Sequence, residues 1–316
     1  MNLLSVFSQT LETTLPVFAM VFIGAGLRRI GWIDGAFINT GSALVFKATL
    51  PTLIFLSIVR ADLSTALNPS LIVFFTLATV GSFLFCWLWA LVRVPVAADR
   101  GVYVQGAFRG NGGIVGLALA ASLYGDYGLS AGGILLGVVI ISYNVLSVIA
   151  LAAYQDSNRL SWQAIVTDIS RNPLILAVVI AVPVAGYEVA LPGWVMTSGD
   201  YFAALTLPLA LLCIGGTLSL SSMRNDSKTA TSASLMKMVT IPSLCTAAAW
   251  AVGFSGPELG LLFLFFASPT AAASFVMVKA LNGNYKLAAN IIAITTLLAS
   301  VTITAGVFVL RASGLI

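Results

Sequence analysis

Two cations stand inside long apolar runs. Lys47 follows Leu44-Val45-Phe46, and Arg109 follows Ala107-Phe108. By rise per residue each lies roughly 12–14 Å from its helix end, near the middle of a hydrocarbon layer about 30 Å thick. Each costs about 2.5–3.5 kcal/mol on the insertion scale. No Asp or Glu is expected at that depth, so an anionic substrate is the natural source of the missing charge. The alternatives are that Arg109 caps carbonyls of its own helix and that Lys47 binds carbonyls or snorkels to the interface.

Two helix-breaking runs accompany them. Asn111-Gly112-Gly113 follows Arg109, and Ser268-Pro269-Thr270 lies 158 residues beyond Gly110-Asn111-Gly112. Ser before Pro reads as an N-cap followed by the first residue of a helix, and Asn111 reads as an N-cap for a half-helix beginning at Gly112. Helix N-termini carry free N–H groups and partial positive charge, which suits an anion. The competing reading is close packing at Gly and a simple kink at Pro. Tyr143 and Asn144, with Ser142 and Ser147, are the polar residues of the fifth apolar segment. Asn290, Thr295, Ser300 and Thr302 are candidates in the tenth for holding a coupling ion. Interhelical hydrogen bonding explains both sets equally well.

The elements that would position these residues follow from composition. Of 316 residues 59% are apolar and 8% charged, with a mean hydropathy of +1.03. That excludes a soluble enzyme, a disordered tail and a nucleic-acid-binding domain. Ten apolar segments run near 11–29, 38–59, 69–92, 101–124, 129–154, 172–190, 200–220, 235–254, 258–281 and 286–310. Helices are expected, because Leu261-Leu262-Phe263-Leu264-Phe265-Phe266 does not alternate as a barrel strand would. Four tryptophans, Trp32, Trp87, Trp162 and Trp194, lie near segment ends as interface anchors.

Eleven basic residues fall on one side: Arg28, Arg29, Arg93, Arg100, Arg159, Arg171, Arg224, Lys228, Lys237, Lys279 and Lys286. Two, Arg60 and Arg311, fall on the other. That bias predicts both termini outside the cytoplasm. No histidine is present, which removes a Ser-His-Asp triad and a histidine relay. Cys86, Cys213 and Cys245 are widely spaced within apolar runs and read as small core residues. No catalytic cluster, metal cage or basic signal-peptide region is evident, so the chain is expected to be a membrane protein with no cofactor and no enzyme chemistry.

The chain also repeats itself. Pro16 matches Pro173, and Leu50-Pro51 matches Leu207-Pro208, both at an offset of 157. Gly125-Asp126-Tyr127 matches Gly283-Asn284-Tyr285 at 158. Residues 1–157 and 158–316 would then each hold five crossings. Because five is odd, the second half would be inverted, as in secondary transporters with a midplane site.

These residues resemble the auxin efflux carrier family, which includes plant carriers and bacterial carriers of malonate and similar organic acids. The resemblance covers nearly the whole chain. It rests on Leu15-Pro16-Val17-Phe18, Gly26-Leu27-Arg28-Arg29, Val45-Phe46-Lys47 with Leu50-Pro51, and Phe108-Arg109-Gly110-Asn111-Gly112. Tyr143-Asn144-Val145-Leu146, Asn172-Pro173, Leu207-Pro208-Leu209-Ala210 and Ser268-Pro269-Thr270-Ala271-Ala272 complete it. The resemblance implies a fold like the bile acid–sodium symporters. Segments 1, 2, 6 and 7 would form a scaffold, and segments 3–5 and 8–10 a transport domain in which broken segments 4 and 9 cross. It implies a small carboxylate substrate, a homodimer and the inner membrane of a bacterium. Two differences stand out. Plant carriers have proline at the fourth-segment break, where this chain has Gly110 and Gly112 around Asn111, and their long loop between segments 5 and 6 is absent.

The expectation is therefore an all-α membrane protein that carries small organic anions by alternating access. Two buried cations favour a dicarboxylate such as malonate or malate. The rivals are a sodium-coupled symporter and an anion channel. A coupling ion, sodium or a proton, stays open.

Overall fold

A computed structural model describes residues 3–61, 67–154, 167, 170–218 and 227–316. Arg159, Trp162 and Arg224 lie outside them. Among the described residues the chain is helical, with no strand. Among the described residues six stretches are long and apolar enough to cross a membrane: Leu3–Arg29, Gly35–Arg60, Pro69–Arg93, Gly112–Ala152, Gly193–Thr217 and Tyr285–Ala312. Pro173–Gly186 and Gly256–Ala267 are shorter apolar helices. This is a multi-pass membrane protein.

Local chemistry sets the helix boundaries. Asp34, Asn68, Asn172 and Asn284 each accept a hydrogen bond from a backbone N–H two or three residues on, so each caps a helix N-terminus. Proline sets the interruptions, because it removes a donor and crowds the carbonyl four residues back. Before Pro51 the ladder widens into a π-turn over Val45–Thr49, where Leu50 N–H reaches the Val45 carbonyl. Before Pro242 the same happens over Met236–Thr240. Before Pro208 the helix breaks at Leu205. The matched pair Leu50-Pro51 and Leu207-Pro208 thus both follow an interruption. The other matched pair does not behave alike. Pro173 opens its helix, whereas Pro16 lies inside Leu3–Arg29, because that helix starts upstream at Leu3.

The helix spanning Leu117–Ala152 is two helices. Gly125 at φ 55°, ψ −132° reverses the chain, a conformation open chiefly to glycine. Just beyond it a Cβ on Gly128 would lie 2.1 Å from the Ala120 carbonyl oxygen. This reversal separates the fourth and fifth segments where the sequence predicts.

Helix Leu3–Arg29 packs chiefly on Thr206–Thr217, and Leu50–Arg60 on Pro173–Gly186. Pro69–Arg93 packs on Ala97–Phe108, and Ser227–Leu235 on Tyr285–Ala312. Two helices are enclosed on all sides. Every residue from Gly101 to Phe108 is buried, as is every residue from Leu259 to Ala267. Full enclosure explains the unbroken apolar run of 261–266. The ring of Phe75 sits against Tyr143, Phe265 and Phe266, and Tyr143 against Phe108, which supports the two enclosed helices from one side. All three cysteines are buried and unbridged.

Candidate substrate site at the helix crossing

Both broken segments begin alike. Ala97–Phe108 carries Asp99 in its first turn and Gly256–Ala267 carries Glu258, each favourable at a helix N-terminus. Asn284 Nδ2 donates to Asp99 at 3.0 Å, and Asn68 Nδ2 donates to Glu258 at 2.6 Å. Each helix then runs inward and stops. Phe108 ends the first and Ala267 the second.

The two breaks meet in an antiparallel bridge between Gly110 and Thr270. Asn111 N–H donates to the Pro269 carbonyl at 2.7 Å, and Ala271 N–H donates to the Arg109 carbonyl at 3.3 Å. Thr270 locks the crossing further. Its hydroxyl donates to the Gly106 carbonyl at 2.7 Å, and its N–H donates to Thr295 Oγ1 at 3.1 Å. The two interrupted helices are thus joined at their breaks. Their backbone groups satisfy one another, as burial requires.

Several side chains do different work from what their types suggest. Ser268 is not an N-cap. It ends the first half-helix, and its hydroxyl donates back to the Leu264 carbonyl at 2.8 Å. The second half-helix starts only at Ala273, with Ala272 in the cap position. The reason is that Pro269 and Thr270 are extended in the bridge. Asn111 does occupy the N-cap position, and its carbonyl accepts from Ile114, Val115 and Gly116. Its side chain makes no capping bond.

A cavity of about 460 Å³ opens beside the crossing, within the 300–1,000 Å³ range of small-molecule sites. Arg109, Asn111, Gly113, Tyr143 and Asn144 line it. Ser42, Asn172 and Thr217 add polar atoms from the second, sixth and seventh segments. Phe46, Leu50, Ile114, Val139, Leu174 and Ile214 make much of its wall apolar. Gly112 is buried behind this lining, where a Cβ would meet the Phe265 ring at 2.9 Å. Ser268, Pro269 and Thr270 are buried in the crossing and do not line the cavity.

Arg109 is the charged residue of this wall. Its backbone N–H caps the helix at the Gln105 carbonyl, but its guanidinium bonds no carbonyl of that helix. Nη2 donates to Asn144 Oδ1 at 2.9 Å, and Nη1 lies 3.1 Å from Ser147 Oγ and 2.9 Å from Met277 Sδ. All three partners are neutral. The one ion pair among the described residues, Arg60–Asp200 at 2.7 Å, is half-exposed and remote from the crossing. The guanidinium is therefore oriented but not neutralised.

Lys47 corrects the expectation of two cations in one site. It is exposed, on a π-turn, and absent from the cavity wall. One extra residue in a turn rotates the residues beyond it by about 100°, so helical spacing alone misplaces it. The second buried cation is Lys237, which the charge tally puts at a cytoplasmic helix end. It is fully buried, and its Nζ donates to the Phe266 carbonyl at 2.8 Å. A signal was present: Lys237 lies within Leu235-Met236-Lys237-Met238-Val239, five residues before Pro242.

The tenth-segment candidates do not gather into one site. Thr295 is at the crossing. Ser300 and Thr302 donate to carbonyls of their own helix, Leu297 and Leu298, and Thr302 lines a separate apolar groove. Asn290 is buried near the helix start. Met277 is the Arg109 partner that sequence reasoning did not select, whereas Ser147 belongs to the polar set of the fifth segment.

A multi-pass helical protein with two broken helices crossing beside a buried cavity belongs to the class of membrane transport proteins. The comparisons agree. Residues 9–306 match the family described as membrane transport protein. An uncharacterized transporter of Methanothermobacter thermautotrophicus is 23% identical over 303 residues, covering 94% of this chain and 97% of the relative. The chain belongs to this family, the auxin efflux carriers, and is a transport protein, not an enzyme.

Proposed function

We propose that the chain is a secondary carrier of small organic anions in the cytoplasmic membrane of a bacterium. The observation that carries this reading is the Arg109 guanidinium in the cavity wall, held by neutral partners and open to an external carboxylate. Asn111 and Gly113, at the start of the second half-helix, line the same cavity and would complete a carboxylate site. With Lys47 outside the cavity, the argument for a dicarboxylate such as malonate loses one of its two cations. A single cation in a largely apolar wall favours one carboxylate on an apolar body.

In this reading the chain crosses the membrane ten times, as inverted repeats 1–157 and 158–316 with both termini outside. Segments 1, 2, 6 and 7 are the scaffold, with segments 3–5 and 8–10 moving against it as an elevator. The cavity supports this, since its wall joins residues of the second, sixth and seventh segments to the crossing. The scaffold would also supply the surface of a homodimer.

Counterflow in proteoliposomes tests the reading, with labelled phenylacetate and malonate as probes. A carrier exchanges trapped for external anion, and a channel does not. Asn111→Ala is expected to lower phenylacetate counterflow about tenfold, the loss of one hydrogen bond to a charged group. Absence of counterflow with both probes at normal reconstitution argues against this substrate class. Topology gives a separate check. A single cysteine introduced at Arg159 is expected to resist membrane-impermeant reagent in intact cells. Labelling there would overturn the inverted repeat.

A further inference from the structure

The crossing has a second side, away from the cavity, and a lysine fills it. Lys237 is fully buried, and its Nζ donates to the Phe266 carbonyl at 2.8 Å. A Cβ on Gly110 would lie 2.9 Å from that nitrogen, 3.2 Å from the Phe265 carbonyl oxygen and 3.3 Å from that of Ser268. The nitrogen and the oxygens thus crowd one point, where only a glycine hydrogen fits. Phe265, Phe266 and Ser268 are at the C-terminal end of the half-helix Gly256–Ala267. Their carbonyls lack the intrahelical donors that earlier residues have, and the helix dipole makes that end negative. Ser268 Oγ takes the Leu264 carbonyl, one turn further back. The titratable groups near Lys237 are the thiols of Cys86, on the neighbouring helix Pro69–Arg93, and of Cys245, on Ile241–Ala251, which continues the helix that carries Lys237. Neither helix brings a carboxylate to this point.

Carbonyls at the end of an unwound half-helix are the groups with which transporters coordinate a coupling cation. We propose that Lys237 is a tethered substitute for that cation. Its ammonium occupies the carbonyl cluster permanently, completes the crossing electrostatically and travels with it. Sodium then has no site to fill, and the carrier moves its anion without a co-transported ion. The tether supplies the charge that a sodium-coupled carrier must recruit in every cycle. Lys237 is a positioning residue: it touches the backbone that shapes the site and not the cavity itself.

This inference rests on the carrier reading, and a substrate-free measurement keeps the two apart. The melting temperature of the purified wild-type protein is expected to be the same in sodium chloride and in N-methylglucamine chloride at equal concentration. Lys237→Ala is expected to melt about 5 °C lower or more in N-methylglucamine, and to recover at least half of that in sodium or methylammonium. Phenylacetate counterflow should show the same pattern, with sodium-independent wild type and sodium- or methylammonium-rescued variant. Wild-type stability or uptake that requires sodium overturns the proposal. So does uptake driven by a proton gradient, or a folded Lys237→Ala that matches wild type without any added cation or responds to none. If Lys237→Ala does not survive purification, the wild-type comparison decides. Failure of counterflow with the melting pattern intact would count against the substrate class and leave the tethered cation standing.

Discussion

Arg109→Gln is expected to lower phenylacetate affinity by about 100-fold, equivalent to about 2.8 kcal/mol, while leaving the melting temperature unchanged or raised. The two effects have one origin. The guanidinium is buried with neutral partners at Asn144, Ser147 and Met277. An attraction of about 4 kcal/mol at 4 Å, for an effective dielectric constant near 20, is available to an entering carboxylate. Desolvation of the anion takes back part of it. In the empty protein the same charge is a cost, since a buried ion without a counter-ion destabilises the fold. Removing it therefore costs binding and not stability. Isothermal titration and thermal melting of one preparation measure both. Lys47→Gln is the internal contrast: it should leave affinity, and the ratio of malonate to phenylacetate binding, as in the wild type. Equal losses in the two variants would return Lys47 to the site. A large fall in melting temperature with unchanged affinity would make Arg109 a structural residue.

Gly215→Ala is expected to produce the largest loss of stability. A Cβ at this position would lie 1.9 Å from the Val21 carbonyl oxygen and 2.9 Å from Ala25 N. Across the same contact a Cβ on Gly24 would lie 2.2 Å from the Leu212 carbonyl oxygen. Backbone meets backbone in both directions, so no side chain can turn aside. The helices Leu3–Arg29 and Thr206–Thr217 must separate or tilt, and overpacking of this kind costs about 1–3 kcal/mol or more. The expected readout is a melting temperature lower by several degrees, with sharply reduced yield of folded protein. Gly26→Ala, two residues beyond Gly24 on the partner helix and with nothing within 4 Å of its Cβ, is expected to be neutral or stabilising by up to about 1 kcal/mol. If the two alanines behave alike, the close approach of these helices is wrong.

What the sequence alone determined is what local chemistry determines. Membrane residence comes from hydropathy, and the transporter family from motifs spread along the chain. The interruptions at Asn111 and Pro269 come from the loss of helix-forming residues, and the reversal near Gly125 from the one residue that tolerates its conformation. These properties depend on neighbours within a few positions. The tertiary structure decided which charge serves the site. Lys47 and Lys237 stand in similar apolar runs, each on a π-turn a few residues before a proline. One faces outward and the other reaches the crossing, because the direction of a side chain around a helix is set by what the helix packs against. Ser268, Pro269 and Thr270 likewise read as the start of a helix, and the motif is a good one locally. Pairing with Arg109–Asn111 from the other half of the chain drew them into a bridge instead. The bridge satisfies buried N–H and carbonyl groups that neither segment could satisfy alone, and that energy outweighs the local preference for a helix.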